Sequence, residues 1–273
     1  MDMELRVIRS RDNAQVKRLL RLATSSRERR ETGTTILDGA HLVEAYWKSG
    51  GTVEVLAASA SAYADTRLRA LFDQTPAHAR LLLADDLITK ISQVVTSSGI
   101  LAVVRSPGAL PLPDAVDSCL ILEGIQDPGN LGSILRSAAA SGLRQIFLSP
   151  GSVFAWAPKV VRAGQGAHFF LSIHENVAFR DMRTRTRARV IATEPEARAS
   201  VFEADLRGPI AWMFGNEGAG LSAQAANLAT ERVRIPMQGQ AESLNVAAAA
   251  AICLFEQMRQ NLGGAGQGIS ASP

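Results

Sequence analysis

The first 105 residues alternate short apolar blocks with polar turns, and the spacing of the apolar positions changes from block to block. Leu19, Leu20, Leu22 and Ala23 mark one face of a helix whose other positions carry arginines. Blocks such as 100–104 are continuously apolar and end at glycine or polar residues, which is typical of strands. The pattern predicts helices at 12–31, 40–48, 60–72 and 86–93, and strands at 34–39, 53–57, 79–84 and 100–104. Such alternation indicates a compact α/β domain over residues 1–105.

A proline-rich stretch separates this region from a second one. Residues 106–113 hold three prolines and a glycine, which neither a helix interior nor a central strand accommodates, so we predict a linker at 106–116. The second domain, 117–262, again alternates. We predict strands at 118–123, 145–148, 167–171, 189–193, 210–214 and 233–235, and helices at 131–141, 158–163, 179–187, 222–228 and 243–260. Because its strands are continuously apolar, the fold class is α/β with a mostly parallel sheet. Residues 263–273 are predicted to be a flexible tail.

The last predicted helix, 243–260, is rich in alanine. Ser243 precedes it and is a natural N-cap. Its apolar stripe is predicted to consist of Leu244, Ala247, Ala248, Ala251, Phe255 and Met258. An alanine-rich face is compatible with close packing against a second subunit, and a monomer core explains it equally well.

Composition narrows the functional class. No run of about 18 apolar residues occurs, and the first residues lack the apolar core of a secretory signal, so we expect a cytoplasmic protein without a membrane span. Cys119 and Cys253 both lie in apolar stretches and are expected to be buried, reduced thiols. The four histidines show no metal-ligand spacing, and we expect no metal.

The positive charge is concentrated at the N-terminus. Residues 1–31 hold nine arginines and lysines against five acidic residues, whereas the whole chain has a net charge of +3. A basic arm suits a phosphate backbone, and Arg9, Arg11, Lys17 and Arg18 are the candidate RNA contacts. The alternative is a solvated helix face. The same two interpretations apply to a second basic group, which consists of Arg180, Arg183, Arg185, Arg187 and Arg189.

A first candidate loop follows the predicted strand 118–123. Pro128 and Gly129 turn the chain, and Asn130 is placed to cap the next helix. Arg136 lies six residues further, about two turns down the helix, so it must reach back or face a neighbouring subunit to act at the strand end. The loop is either an anion-binding helix start with a nearby guanidinium or a plain turn with a surface arginine.

Two further loops follow predicted strands. In the second, Gly215, Gly218 and Gly220 surround Glu217 and permit a ligand to approach the backbone closely, although a generic glycine-rich turn has the same composition. In the third, which begins after Ile235, Asn245 lies in the first helical turn, where free backbone amides face outward. Because each loop follows a buried parallel strand, all three are expected at one edge of the sheet, where α/β proteins bind ligands.

The three loops together resemble the signature motifs of the SpoU (TrmH-type, SPOUT) family of RNA 2′-O-methyltransferases. The matching segments are DPGNLGSILRSA, FGNEGAGLS and IPMQGQAESLNVAAAAAI, in the family's order. Residues 158–167 also resemble the family's stretch between the first two motifs, which makes Arg162 a further candidate RNA contact. Residues 1–105 resemble the ribosomal-protein-like substrate-binding domain common in the family.

The resemblance implies a trefoil-knotted domain, S-adenosylmethionine as methyl donor, and a homodimer. It implies that the reaction centre is formed by Arg136, Asn130, Glu217, Ser243 and Asn245. The residues expected around the cofactor are Gly215, Asn216, Gly218, Ile235, Pro236, Met237, Leu244 and Thr193. A guanidinium is always protonated, so stabilising a developing alkoxide is physically easier for Arg136 than acting as a base.

The implied substrate is structured RNA, and ribosomal RNA is preferred because the N-terminal domain is similar to that of rRNA-directed members. Three alternatives stay open: a tRNA methyltransferase, a non-catalytic RNA-binding protein with a methyltransferase-like domain, and a nucleotide-dependent oxidoreductase. The sequence lacks the glycine fingerprint that is typical of nucleotide-dependent oxidoreductases. The non-catalytic alternative is disfavoured because all polar motif residues are present.

Overall fold

A computed structural model of the chain describes residues 5–92, 97–240 and 243–265. The strands are β1 Val7–Ile8, β2 Thr34–Asp38, β3 Val53–Ser59, β4 Ala77–Leu83, β5 Ile100–Arg105, β6 Cys119–Leu122, β7 Gln145–Leu148, β8 Ser172–His174, β9 Arg189–Thr193, β10 Ala199–Ser200, β11 Ile210–Phe214 and β12 Glu231–Arg234. The helices are α1 Ala14–Thr24, α2 Ser26–Thr32, α3 Ala40–Lys48, α4 Ala60–Ala64, α5 Thr66–Gln74, α6 Asp85–Ser92, α7 Pro128–Ala140, α8 Pro158–Gly164, the 3-10 helix Ala167–Phe170, α9 Phe179–Arg185, α10 Ala223–Ala226 and α11 Val246–Ala265.

These elements form two compact units. Residues 1–108 together with 156–169 make up unit 1, and residues 109–155 together with 170–273 make up unit 2. Of the predicted tail, residues 263–265 continue α11, and residues 266–273 lie outside the described residues.

Unit 1 contains a five-stranded mixed sheet in the order β1-β4-β3-β5-β2. β3 runs parallel to β4, and β5 runs antiparallel to both β3 and β2. The helix predicted at 12–31 is two helices. The Ser25 amide donates to the Arg21 carbonyl at the end of α1, and its hydroxyl accepts from the Glu28 amide at the start of α2. A serine that can cap both helices therefore breaks a stretch whose apolar spacing alone looked continuous.

Helix α8 packs on β2 within unit 1, whereas the sequence prediction placed its segment in the second domain. The Thr35 hydroxyl donates to the Trp156 carbonyl at 2.6 Å. Arg162 forms an ion pair with the buried Asp38 and donates to the Ser92 carbonyl at 3.1 Å. Burial raises the pKa of Asp38 despite the hydrogen bonds from Ser92 and Arg162. Arg162, a candidate RNA contact, thus has a structural role that the sequence did not indicate.

Unit 2 contains a seven-stranded sheet in the order β10-β12-β9-β11-β6-β7-β8. Every strand pair in it is parallel, which confirms the predicted mostly parallel sheet. β6 and β11 are buried along their whole length, as their continuous apolar sequences require. The strand predicted at 167–171 is wrong: that stretch is the 3-10 helix, and β8 begins at Ser172.

Helix α11 packs on α7, and only part of its predicted apolar stripe is buried. Its buried residues are Ala247, Ala250, Cys253, Leu254 and Gln257. Ala248 and Phe255, which belong to the predicted apolar stripe, are exposed. Alanine makes both faces of this helix apolar, so the periodicity did not identify the face that packs.

The two cysteines are buried and free, as predicted, and burial raises the pKa of each thiol to about 12. Among the described helices, none combines the length and the apolar character that crossing a membrane requires. Within the described ranges, no group of three or more His, Cys, Asp or Glu side chains is arranged to hold a metal ion.

Candidate active site

Four neighbouring strands of unit 2 end at one edge of the sheet. β12, β9, β11 and β6 are adjacent and parallel, so the loops that follow them emerge side by side. Three of these loops are the predicted motif loops, and hydrogen bonds join them directly. The predicted convergence of the three loops is confirmed.

The loop after β11 is a tight turn built on glycine and Asn216. The amides and carbonyls of Asn216 and Gly220 bond reciprocally, at 3.0 and 2.9 Å. A β-carbon on Gly215 would overlap backbone atoms of Gly220, and Gly220 itself has a φ of +68°. The Asn216 side chain accepts from the amides of Gly218 and Ala219, both at 3.0 Å, and donates to the Gly124 carbonyl at 2.8 Å. Asn216 therefore shapes its own loop and ties it to the loop after β6.

Glu217 connects this turn to the first loop. Its carboxylate accepts from the amides of Gln126 at 3.3 Å and Asp127 at 3.2 Å, and from Asn130 Nδ2 at 3.0 Å. Burial by itself would raise the pKa of Glu217, but the hydrogen bonds from Asn130 and from the backbone outweigh it and lower the pKa. The side chain is therefore ionised at neutral pH, and both its oxygens are engaged.

Asn130 and Asn245 extend the connection to the third loop. Asn245 Nδ2 donates to Asn130 Oδ1 at 2.8 Å. Asn245 Oδ1 accepts from the Ala247 amide at 2.9 Å, so Asn245, and not Ser243, caps α11. Asp127, and not Asn130, caps α7, because its carboxylate accepts from the Asn130 amide at 2.8 Å. Both predicted caps were wrong: the Asn130 side chain bonds across loops to Glu217 and Asn245, and Ser243 lies in the third loop two residues before the residue that caps α11.

A cavity of about 350 Å³ opens between these loops. Of the predicted residues, its walls include Thr193, Gly215, Asn216, Glu217, Gly218, Ile235, Met237, Ser243 and Leu244. Pro236 does not line it, and Asn130 and Asn245 bound it only indirectly, through the hydrogen bonds to Glu217 and to each other. The volume falls within the usual range for small-molecule sites.

Several wall residues were missed by the sequence analysis. They include Glu194, Pro195, Ala219, Leu221, Val233, Arg234, Val246 and Ala249. The loop after β9 supplies Glu194 and Pro195. Its strand was predicted correctly at 189–193, and the rule that strand ends gather at one edge applies to it as well. That rule would have identified Glu194, which follows Thr193 directly.

The cavity has features that fit an adenosine-containing cofactor. Leu221, Val233, Ile235 and Leu244 provide apolar surface for a planar base. Within the part of the chain that the structure describes, the amides of Ile235 and Leu244 form no hydrogen bond and so remain available to a ligand.

Arg136 lies outside this cavity. It is exposed on α7, six residues and about 9 Å of helical rise beyond Asn130. No hydrogen bond or ion pair joins it to another described residue, and it does not line the cavity of its own chain. The structure thus brings together the other predicted reaction-centre residues, but it does not bring Arg136 to them.

The predicted RNA contacts of unit 1 fall into two groups. Arg9 and Arg11 are exposed and form no hydrogen bond or ion pair with the residues described. Lys17 pairs with Asp12 at 2.8 Å, and Arg18 pairs with Glu54 at 2.9 Å. Neither Arg9 nor Arg11 has to break a hydrogen bond or an ion pair to meet a phosphate, although the charge of Arg11 also acts on Asp86.

Two family models match the chain. Residues 117–255 match the SpoU rRNA Methylase family, and residues 13–102 match the MRM3-like substrate binding domain.

Individual proteins give the same result. The chain is similar to the uncharacterized tRNA/rRNA methyltransferase slr1673 of Synechocystis, with 33% identity over 93% of each chain. It is similar to the 23S rRNA (guanosine(2553)-2′-O)-methyltransferase RlmP of Bacillus subtilis, with 33% identity over 92% of this chain and 98% of the relative. Among solved structures, it is similar to the SpoU methyltransferase AviRb of Streptomyces viridochromogenes in complex with AdoMet. Here the TM-score is 0.81 at 26% identity, over 91% of this chain and 98% of the other.

Proposed function

Because this chain belongs to the SpoU rRNA Methylase family, we propose that it is an enzyme that transfers the methyl group of S-adenosylmethionine to a ribose 2′-hydroxyl of ribosomal RNA. The observation that carries the proposal is the cavity at the sheet edge, whose walls contain the family's second and third motifs and which is joined to the first motif by Glu217. Its relative RlmP bears the name of an rRNA 2′-O-methyltransferase, and the similar AviRb structure contains AdoMet.

S-adenosylmethionine supplies an electrophilic methyl group on a sulfonium centre. In this chain, Gly215, Ile235 and Leu244 would hold it, largely through backbone groups, with Met237 and Thr193 beside them. Asn216 and Gly218 shape the turn that forms one wall. Asn130, Glu217 and Asn245 keep the three loops in register, and Ser243 remains as a hydroxyl in the wall. Holding the reactants in alignment can supply roughly 7–11 kcal/mol in favourable cases.

Arg136 is proposed to act on the RNA. Its guanidinium stays protonated, so it would stabilise the ribose oxygen as it loses its proton, or hold a neighbouring phosphate. Since the cavity of its own chain does not include Arg136, we propose that it serves the cavity of a second subunit.

A homodimer provides that second subunit. Phe255 is 41% exposed and Leu262 is 67% exposed. These two residues are seven apart and therefore lie on one face of α11, next to the exposed Ala248. An apolar face on a helix that also packs on α7, the helix of Arg136, suits pairing with a second copy of the chain. Family membership also supports a trefoil knot in the loops of unit 2.

Unit 1 is proposed to bind the RNA. Its match to a substrate-binding domain and the two exposed arginines, Arg9 and Arg11, support this role. With ribosomal RNA as substrate, the enzyme would work in the cytoplasm, which fractionation of cells that express a tagged protein would test.

The first experiment compares methyl transfer and cofactor binding in Arg136→Ala. We expect turnover on RNA to fall by about 100-fold or more, because one positioned charge is removed from the transition state. The affinity for S-adenosylhomocysteine should stay within about twofold of wild type. Arg144→Ala removes another exposed arginine, just beyond α7 and away from the cavity, and should leave both quantities unchanged.

Methyl transfer would be measured from labelled S-adenosylmethionine into ribosomal and transfer RNA from a strain that lacks the gene, followed by mapping of 2′-O-methyl sites. The tRNA arm matters because the Synechocystis relative is named for both RNAs. Near-normal turnover in Arg136→Ala would contradict the role given to that residue. Wild-type protein that methylates neither RNA would contradict the proposed function.

A further inference from the structure

The loop after β9 brings a carboxylate, Glu194, into the wall of the cofactor cavity. Among the described residues, two carboxylates line this cavity, and they differ in what their oxygens contact. Both oxygens of Glu217 accept hydrogen bonds from the protein. Of Glu194, only Oε1 has a partner within the described residues, Arg232 Nε at 3.2 Å, so Oε2 is left to accept from a ligand.

The local structure holds this side chain in place. The Glu194 amide donates to the Val233 carbonyl at 3.0 Å, which fixes the backbone between β9 and β12. Arg232 is itself anchored, because its Nη2 donates to the Ala226 carbonyl at 2.9 Å. The Glu194 side chain is 30% exposed. A carboxylate that is oriented by an anchored arginine and lines a cavity is prepared for a specific donor.

We infer that Glu194 binds the ribose of S-adenosylmethionine by accepting a hydrogen bond from its 2′,3′-diol. The inference rests on the proposed function, because it assumes that the cavity holds this cofactor. An ionised carboxylate only accepts hydrogen bonds, so its partner on the cofactor must be a donor. The candidates are the adenine amino group, the ribose diol and the ammonium of the amino-acid part.

The surroundings of Glu194 distinguish between these donors. Arg232 forms an ion pair with Glu194 at 3.2 Å and offsets much of its charge, and Arg234 also lines the cavity, so an ammonium group gains little attraction at this carboxylate. Of the apolar surface suited to the adenine ring, Val233 lies beside Glu194, whereas Leu221, Ile235 and Leu244 belong to the loops that follow other strands. The neutral diol is the donor that fits a carboxylate already paired with an arginine, and acidic side chains bind ribose diols in unrelated dinucleotide sites as well.

The test measures binding, not turnover. Calorimetry would compare S-adenosylhomocysteine with 5′-methylthioadenosine, which keeps the ribose but lacks the amino-acid part. In Glu194→Gln both ligands should bind about tenfold more weakly, because a hydrogen bond to a charged group is lost in each complex. Glu196→Gln is the matched control, since Glu196 is exposed two residues further along and does not line the cavity. Its affinities should equal those of wild type.

A second ligand pair identifies the contacted group. Wild-type protein should bind 5′-methylthioadenosine about tenfold more tightly than its 3′-deoxy analogue, and Glu194→Gln should bind the two equally. Weaker binding of S-adenosylhomocysteine alone would assign Glu194 to the ammonium and overturn the inference, as would unchanged affinity for all ligands. If wild-type protein binds none of these ligands, the proposed function itself fails. The circular dichroism spectrum of Glu194→Gln should match that of wild type, which shows that a change in affinity does not come from misfolding.

Discussion

Glu217 is the residue at which three parts of the site meet. Its carboxylate accepts hydrogen bonds from two backbone amides of the first loop and from the side-chain amide of Asn130. The side-chain oxygen of Asn130 in turn accepts a hydrogen bond from Asn245. A carboxylate is suited to this position because it accepts only, and every group that faces it is a donor. The role given to Glu217 here is to position the loops, since its oxygens are already used.

The pH dependence of stability gives a direct test of this role. In Glu217→Gln, one carboxylate oxygen becomes an NH₂ group that faces backbone donors, so the variant should unfold at lower urea concentration than wild type at pH 7. The folded-state pKa of Glu217 lies below its ordinary value of 4.5. Its stabilising contribution is therefore present above about pH 4.5 and is lost as the pH falls through the lowered pKa.

The measurement is urea unfolding of both proteins between pH 7 and pH 3. The difference between them should be largest at neutral pH and shrink in acid. Glu203→Gln, at an exposed glutamate with no hydrogen bond to its side chain among the described residues, should match wild type at every pH. A difference that stays constant down to pH 3 would rule out the ionised carboxylate as its source.

At the scale of single residues, the sequence identifies the residues of the site better than it identifies their hydrogen-bond partners. The glycines and polar residues of the motif loops were recognised because strand ends of a parallel sheet gather at one edge. The hydrogen bonds of Glu217 were not predictable, because they depend on the relative placement of loops 90 residues apart. Glu194 was missed although the end of its strand was predicted, because a single Thr-Glu-Pro turn has no distinctive spacing and only the rule on strand ends points to it.

At the scale of helices and strands, α11 shows what the apolar pattern of the sequence can and cannot predict. Its existence follows from a long alanine-rich run, but its packed face does not, since alanine supplies apolar surface on all sides. Its first residue also differs from the prediction. The helix begins at Val246 and is capped by Asn245, whose other side-chain atom bonds to Asn130. One residue thus serves both the helix and the site.

The two tasks of Asn245 can be separated by substitution. Asn245→Ala should cost about 1 kcal/mol in the free energy of unfolding, because the cap is lost. It should also weaken binding of S-adenosylhomocysteine, because the third loop loses its contact with Asn130. Asn245→Ser should recover most of the stability, since serine caps helices well, but not the affinity, since serine lacks the amide that donates to Asn130.

Urea unfolding and calorimetry measure these two effects independently. Ser243→Ala is the control for stability and should change the free energy of unfolding by less than about 0.5 kcal/mol, because Ser243 does not cap the helix. If Ser243→Ala lowers the free energy of unfolding more than Asn245→Ala does, Ser243 caps the helix, as the sequence predicted.

At the scale of the whole molecule, the sequence predicted two α/β regions, and the structure groups residues 156–169 with the first of them. The reason is a set of polar contacts that no local pattern encodes. Thr35 bonds to the Trp156 carbonyl, and Arg162 neutralises the buried Asp38. Contacts of this kind join residues more than 100 positions apart, whereas hydrophobic periodicity reports only on neighbours along the chain.

The proposed dimer predicts that two inactive variants can restore activity to each other, which is impossible if each site is built from a single chain. If Arg136 of one subunit serves the cavity of the other, a variant without the arginine and a variant with a blocked cavity should complement each other. Gly218→Arg is a suitable blocking variant, because Gly218 lines the cavity and the nearest atom to a β-carbon there, Asn216 Oδ1, is 3.7 Å away. Each variant alone should be inactive.

Co-expressed and allowed to exchange subunits, Arg136→Ala and Gly218→Arg should recover about a quarter of wild-type activity, since half of the dimers are mixed and each has one complete site. Adding Phe255→Glu and Leu262→Glu to both chains should abolish the recovery and halve the mass in sedimentation, because charges on the exposed face of α11 oppose pairing. The same two changes on their own should leave binding of S-adenosylhomocysteine intact, since neither side chain lines the cavity. A mixture that stays inactive while mixed dimers form would place Arg136 in the site of its own chain.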